Sequence, residues 1–111
     1  YANPDWLSQQ IRKLPSLPDV FFGANDFLAI STLKALKQMR ISVPKDVLLC
    51  GFDDAPEATI VEPTLTTIKI PSSAMGFIAA EHLLSRISHP DMAYRTTYVK
   101  TEIIYRESTD R

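Results

Sequence analysis

The sequence predicts an α/β fold, and three observations carry that expectation. Two apolar runs, Val20-Phe21-Phe22 and Val47-Leu48-Leu49-Cys50, are short and bounded by turn residues, as buried strands are. Between them Ala29, Ile30, Leu33, Leu36 and Met39 recur at helical spacing, with Lys34, Lys37 and Gln38 on the other side. A strand joined to a strand through a helix implies a parallel pair with a crossover connection.

The remaining elements follow in chain order. Asn3 caps a helix from about Pro4 to Lys13, with proline at the first helical position, where its missing N–H costs nothing. Pro15 and Pro18 force an extended connection. Asp19 to Ala24 forms the first strand, Asn25-Asp26 ends it and caps a helix over Asp26 to Arg40, and Val47 to Cys50 is the second strand. Ala55-Pro56 opens a single helical turn. Leu65-Thr66-Thr67-Ile68-Lys69-Ile70 is β-branched and alternating, a third strand. Pro71 and Ser72 open a helix of about 15 residues with Met75, Ile78, Ala79, Leu83 and Ile87 on its stripe, and Pro90 stops it. Tyr98 to Tyr105 reads as a fourth strand, and the polar tail Arg106 to Arg111 is expected to fray.

Composition narrows the function. With 111 residues and 45% hydrophobic side chains, the chain has the material for one core. Its 12 basic and 13 acidic side chains give a net charge of -1, which argues against gripping nucleic acid by charge alone. The single cysteine, Cys50, cannot form an internal disulfide, and no apolar run reaches the roughly 20 residues of a membrane span. The chain begins at Tyr1 without a signal pattern and reads as a piece of a longer protein.

Catalytic patterns are weak. His82 follows Glu81 without a second histidine at metal-ligand spacing, and His89 precedes Pro90 in a loop. No nucleophile elbow occurs, and three glycines cannot build a phosphate-cradling loop. Cys50 sits in an apolar run, where a thiol packs as a small hydrophobe. No enzyme activity, metal or cofactor is expected.

Binding patterns are stronger. In open parallel sheets, ligands sit beyond the carboxyl ends of the strands. Here those ends carry Gly23-Ala24-Asn25-Asp26 and Gly51-Phe52-Asp53-Asp54. Asn25 and Asp53, facing one crevice, offer an amide and a carboxylate to the hydroxyls of a neutral polyol, and Phe52 offers an apolar face to a sugar ring. The same two residues also serve as helix caps and turn formers, and pattern alone leaves both roles open. Phe27, Leu28, Ile60 and Val61 exceed what one apolar stripe needs, so they belong either to the core or to a subunit interface.

Taken in order, several segments carry a resemblance. They are Phe21-Phe22-Gly23-Ala24-Asn25-Asp26, Leu33-Lys34-Ala35-Leu36, Val43-Pro44-Lys45-Asp46-Val47, Gly51-Phe52-Asp53-Asp54-Ala55-Pro56, Pro63-Thr64-Leu65-Thr66-Thr67-Ile68, Met75-Gly76 and Arg106-Glu107-Ser108-Thr109. In that order the chain from Pro18 onward resembles the LacI/GalR family of bacterial transcription regulators. The resemblance implies a periplasmic-binding-protein-like (type I) fold, present only in part: residues 1–70 from the C-terminal lobe, 71–97 a hinge crossing and a helix that packs on the other lobe, and 98–111 a returning strand and tail. It implies that the apolar stripe of that helix lacks its natural partner here. It assigns effector contacts to Asn25 and Asp53, leaves Asp26 and Asp54 as helix caps, and supports the interface reading of Leu28 and Ile60. Ile70 departs from the polar residue, commonly glutamine, that many sugar-binding members carry there. The implied partners are a small-molecule effector (a sugar or sugar phosphate), operator DNA through a helix-turn-helix outside this chain, and a second copy as homodimer, in the cytoplasm and without a membrane. The alternative is a soluble sugar receptor of the periplasmic type.

Overall fold

The computed structural model describes residues 3–111 and divides the chain into two compact units, Tyr1–Lys69 with Ile103–Arg111, and Ile70–Glu102. The first unit opens with α1 (Pro4–Arg12), whose Asn3 side chain accepts from the Asp5 N–H at 2.8 Å. Strand β1 (Val20–Phe22), helix α2 (Asp26–Gln38) and strand β2 (Leu48–Cys50) follow. The two strands pair in parallel, Phe21 opposite Leu49 and Phe22 opposite Cys50, as the helix between them requires. Cys50 continues the ladder to Thr66 by a parallel bridge, and β3 (Thr67–Lys69) pairs in turn with β4 (Glu102–Ile104).

Helix α2 buries Ala29 and Leu33 with Leu49, Ala58 and Leu65 in one cluster, and Ala35 and Leu36 with Ile11 and Val47 in another. Phe21 and Val43 pack against both, so the sheet and the two helices share a continuous apolar interior. Close packing explains Gly23: a Cβ there would meet the Ala29 backbone nitrogen at 2.7 Å. Cys50 is half-buried, and burial pushes its thiol above the ordinary cysteine value.

Three expectations are corrected. Strand β1 is not buried: Val20 is 47% and Phe22 61% exposed, and only the half-buried Phe21 between them packs inward. Successive side chains of a strand point to opposite faces, and the face carrying Val20 and Phe22 is only partly covered among the described residues. The third and fourth strands are shorter than the β-branched runs suggest, because ladder pairing in β4 reaches only Glu102–Ile104. The tail does not fray. A 3-10 turn at Glu107–Thr109 docks it by Ser108, whose buried hydroxyl donates to Leu49 O at 2.6 Å and accepts from Thr66 N–H at 2.8 Å. Around it, Ser108 N–H donates to Thr64 O at 2.9 Å, Arg106 N–H to Thr66 Oγ1 at 2.8 Å and Thr64 Oγ1 to Glu107 at 2.9 Å.

The second unit is dominated by α3 (Ser72–Ser88), with no buried residue along its 17 positions. Met75, Phe77, Leu83, Leu84 and Ile87 are all exposed. An apolar helix of this length gains most of its stability in water from a packing partner, and none covers these side chains among the described residues. Arg86 in this unit donates to Met92 O at 2.9 Å and lies 4.4 Å from the Tyr94 ring centroid, which accounts for its charge locally. No helix among the described residues is long and apolar enough to cross a membrane.

A half-buried thiol with a raised pKa has a chemical signature. At pH 8 the native protein should react with iodoacetamide at Cys50 more slowly than the urea-unfolded chain, since the thiolate is the reacting species. The raised folded value also means that Cys50 stabilises the fold below the unfolded thiol pKa, and that this contribution is lost as pH rises through the folded one. Alkylation followed by mass spectrometry measures the first effect, and equal rates in the two states would show an accessible thiolate.

Candidate functional site

The carboxyl ends of β1 and β2 converge on two segments, Gly23 to Asp26 and Gly51 to Ala55. Pairing of Phe22 with Cys50 sets Asn25 and Asp53 the same number of residues beyond the paired ends. Asn25 is extended (φ −151°, ψ 172°) and its side-chain oxygen accepts from Leu28 N–H at 2.9 Å, so the cap role is real. That bond uses only the oxygen. Among the described residues the amide nitrogen of this half-buried side chain has no hydrogen-bond partner.

Asp26 is the first residue of α2 and 1% exposed. It is not a cap, as the sequence suggested. Its carboxylate accepts from Thr67 Oγ1 at 2.6 Å and from Ala55 N–H at 2.7 Å, which joins the helix start to β3 and to the loop after β2. Its own N–H donates to Phe52 O at 2.9 Å. Gly51 is buried against this carboxylate, and any Cβ there would collide with Asp26 Oδ1.

The loop itself is bent sharply. Asp53 has φ 106° and Asp54 φ 51°. The second value lies in the left-handed helical region that aspartate tolerates, whereas the first lies outside the main wells and costs on the order of 1–3 kcal/mol. Four bonds hold the bend. Asp53 N–H donates to Ile68 O at 2.9 Å, Asp54 N–H to Thr67 Oγ1 at 3.2 Å and Ala55 N–H to Asp26. Asp54 Oδ1 meets Arg106 Nη2 at 2.7 Å, and Arg106 Nη1 reaches Leu65 O at 3.0 Å. Asp54 is therefore an ion-pair partner, the second correction to the cap assignment.

What remains free is Asp53. Its carboxylate is exposed and has no partner among the described residues, while Asp54 beside it is neutralised by Arg106. The site thus presents one negative charge at Asp53, an unused amide at Asn25 and the half-buried ring of Phe52. Sequence reading missed Thr67, Arg106 and Asp26 as the residues that shape this end of the sheet. A lone arginine directly after a strand was the available signal. Ile70, half-buried, begins the second unit. Among the described residues no group of three or more His, Cys, Asp or Glu side chains is placed to hold a metal.

A second feature lies on the outer side of α2. Phe27, Ile30, Lys34, Glu57, Ile60 and Val61 line a groove of about 290 Å³. Phe27 is 64% and Ile60 77% exposed. Three of the four surplus apolar residues meet here, and Leu28, half-buried, is not among those lining it.

The carboxylate at Asp26 generates a test of this architecture. Asp26→Ala leaves the Thr67 hydroxyl and Ala55 N–H unpaired in a buried place, and unfolding in urea should show a loss of roughly 3 kcal/mol. A change below about 0.5 kcal/mol would mean that the carboxylate is dispensable, as at ordinary surface positions.

Known proteins share this fold. A periplasmic binding protein-like domain matches residues 1–109. The lactose operon repressor of Rhizobium radiobacter is 34% identical over 106 residues, 93% of this chain and 93% of that protein. The ribose operon repressor of Haemophilus influenzae is 33% identical over 100 residues, 90% of this chain but 30% of that protein. Among solved structures, a LacI family transcriptional regulator from Arthrobacter sp. FB24 in complex with lactose aligns with a TM-score of 0.79 at 27% identity, over 96% of this chain and 40% of that one. The chain therefore belongs to the periplasmic-binding-protein-like domain family and, within it, to the LacI/GalR regulators, of whose effector-binding core it forms the C-terminal part.

Proposed function

We propose that the protein carrying this chain is a sugar-responsive transcriptional repressor, and that this segment supplies the C-terminal lobe's share of its effector site. The observation that carries the reading is the unpartnered Asp53 carboxylate, held in a strained bend beyond β2 at the same end of the sheet as the unused amide of Asn25. A carboxylate accepts from two hydroxyls and an amide N–H₂ donates to a third oxygen, the set a polyol requires. The free negative charge favours a neutral sugar over a sugar phosphate at this end of the site, because a phosphate would face a like charge. Relatives named lactose and ribose operon repressors support a repressor over a soluble receptor.

In this reading sugar binding favours one of two arrangements of the core, and the arrangement biases how paired DNA-binding domains meet their half-sites. Operator contacts belong to a helix-turn-helix outside this chain, which accords with a net charge of -1 here. The protein works in the cytoplasm, where its operator is, and the reading contains no catalytic step, cofactor or metal. Residues 71–97 pack on the other lobe and residues 98–111 return from it.

Asp53→Ala in the full-length protein should weaken the sugar that binds best in a screen of mono- and disaccharides by about 5- to 150-fold, or 1–3 kcal/mol. Titration calorimetry decides it, and unchanged affinity would return Asp53 to a turn-forming role alone.

The groove beside α2 is the proposed contact with a second copy. It is apolar at Phe27, Ile30, Ile60 and Val61, and it carries Lys34 and Glu57, which are exposed and of opposite charge. A two-fold interface uses the same patch twice, which lets Lys34 of one copy pair with Glu57 of the other. Phe27→Glu places a charge in that apolar patch, and sedimentation of the intact protein should show the dimer shifting to monomer at micromolar concentration. An unshifted dimer would put the contact elsewhere.

A further inference from the structure

We infer that Arg106 is a positioning residue for the Asp53 carboxylate, acting through Asp54; its consequence for sugar binding rests on the effector reading of Asp53 given above. Arg106 touches neither Asp53 nor Asn25 by any hydrogen bond among the described residues. It reaches the loop at one point, the 2.7 Å pair from Nη2 to Asp54 Oδ1. The other arm of the same guanidinium is fixed on Leu65 O at 3.0 Å, and its backbone N–H on Thr66 Oγ1 at 2.8 Å. A planar fork anchored on the segment just before β3 thus holds the second residue of a two-residue left-handed bend.

The bend needs such a hold. Asp53 occupies φ 106°, which an aspartate leaves readily unless its surroundings over-determine the backbone. The pair is part-buried, with side chains 17% and 22% exposed, so water screens it less than a surface pair. It also removes the charge next to Asp53. Without it, two adjacent carboxylates would repel, and the loop would relax toward separating them. Preorganised ligand groups owe their affinity to being fixed before the ligand arrives, which is the role assigned to Arg106. The tail motif Arg106-Glu107-Ser108-Thr109 thereby gains a task beyond docking.

The test uses the full-length protein and two readouts. By amide hydrogen exchange, Arg106→Met should speed exchange at Asp53, Asp54 and Ala55 at least about 10-fold while Leu33 to Leu36 in α2 stay as in the parent protein. By calorimetry with the best-binding sugar of the panel, Arg106→Met should weaken binding about 10-fold in the parent and less than about 2-fold in an Asp53→Ala background, since a residue acting through Asp53 has nothing left to position. If Arg106→Met fails to fold, Asp54→Asn breaks the pair from the other side and is read in the same two ways. Unchanged exchange in the loop overturns the positioning role whether or not a sugar binds. An equal affinity loss in both backgrounds overturns it too, by showing that Arg106 acts on binding independently of Asp53. A panel in which no sugar binds defeats the effector reading, and the exchange result still decides what Arg106 does to the loop.

Discussion

The buried carboxylate of Asp26 is the constraint around which this end of the molecule is built. A charge 1% exposed is tolerable only when its oxygens are bonded, and here each oxygen has its own donor, the Thr67 hydroxyl and the Ala55 N–H. Its position in the first turn of α2 adds the favourable field of the helix N-terminus, worth about 0.3–2 kcal/mol. From this one group follow the placement of α2 over the sheet, the approach of β3 and the path of the loop after β2. It also explains Gly51, since any larger residue would displace the carboxylate. Asn25 can cap α2 with only its oxygen because Asp26, not Asn25, makes the tertiary bonds at the helix start.

A second polar assembly closes the sheet from the other side. Ser108 hydrogen-bonds Leu49 and Thr66, residues of two neighbouring chain segments, and Arg106 spans Leu65 and Asp54. The Ser108 bonds are buried and the Arg106 bonds part-buried, so each is stronger than its exposed counterpart and costly to leave half-made. The two assemblies meet at the Thr66-Thr67 pair. Thr66 Oγ1 accepts from the tail, while Thr67 Oγ1 donates to Asp26 and accepts from Asp54 N–H. Alternation along the strand sends those two hydroxyls to opposite faces, and this is how one short segment serves both.

What the sequence made legible was whatever local pattern encodes. The α2 stripe, the parallel pairing through it, the caps at Asn3 and Asn25 and the helix of α3 all follow from spacing and residue type, whereas the openness of the α3 stripe was implied by the family resemblance. What it hid depends on distant partners. Ser108 and Arg106 look like residues of a frayed polar tail because their bonds reach back some forty residues or more, to Thr66, Leu65, Asp54 and Leu49. Val20 and Phe22 look buried because apolar content says nothing about whether a neighbour covers that face. Leu28 was grouped with Phe27 by adjacency, yet consecutive helical residues point about 100° apart. The residues that share the Phe27 side are Ile30, Ser31 and Lys34, at helical spacing from it.

The same distinction separates the parts of the site that stabilise the fold from the part that does not. Asp26 and Asp54 are satisfied by the protein and contribute to its stability, one through buried donors and the other through Arg106. Asp53 contributes a strained backbone and a charge that nothing in the described chain answers. A glycine would take φ 106° at no steric cost, so the backbone does not ask for an aspartate there. Its carboxylate is therefore the one feature of the loop that folding leaves unexplained. Sites that bind or react are where local rules are broken and the surroundings compensate. Here the compensation is visible in named bonds, from Asp53 N–H to Ile68, from Ala55 N–H to Asp26 and from Asp54 to Arg106, and their common effect is to hold one free carboxylate beyond the strand ends.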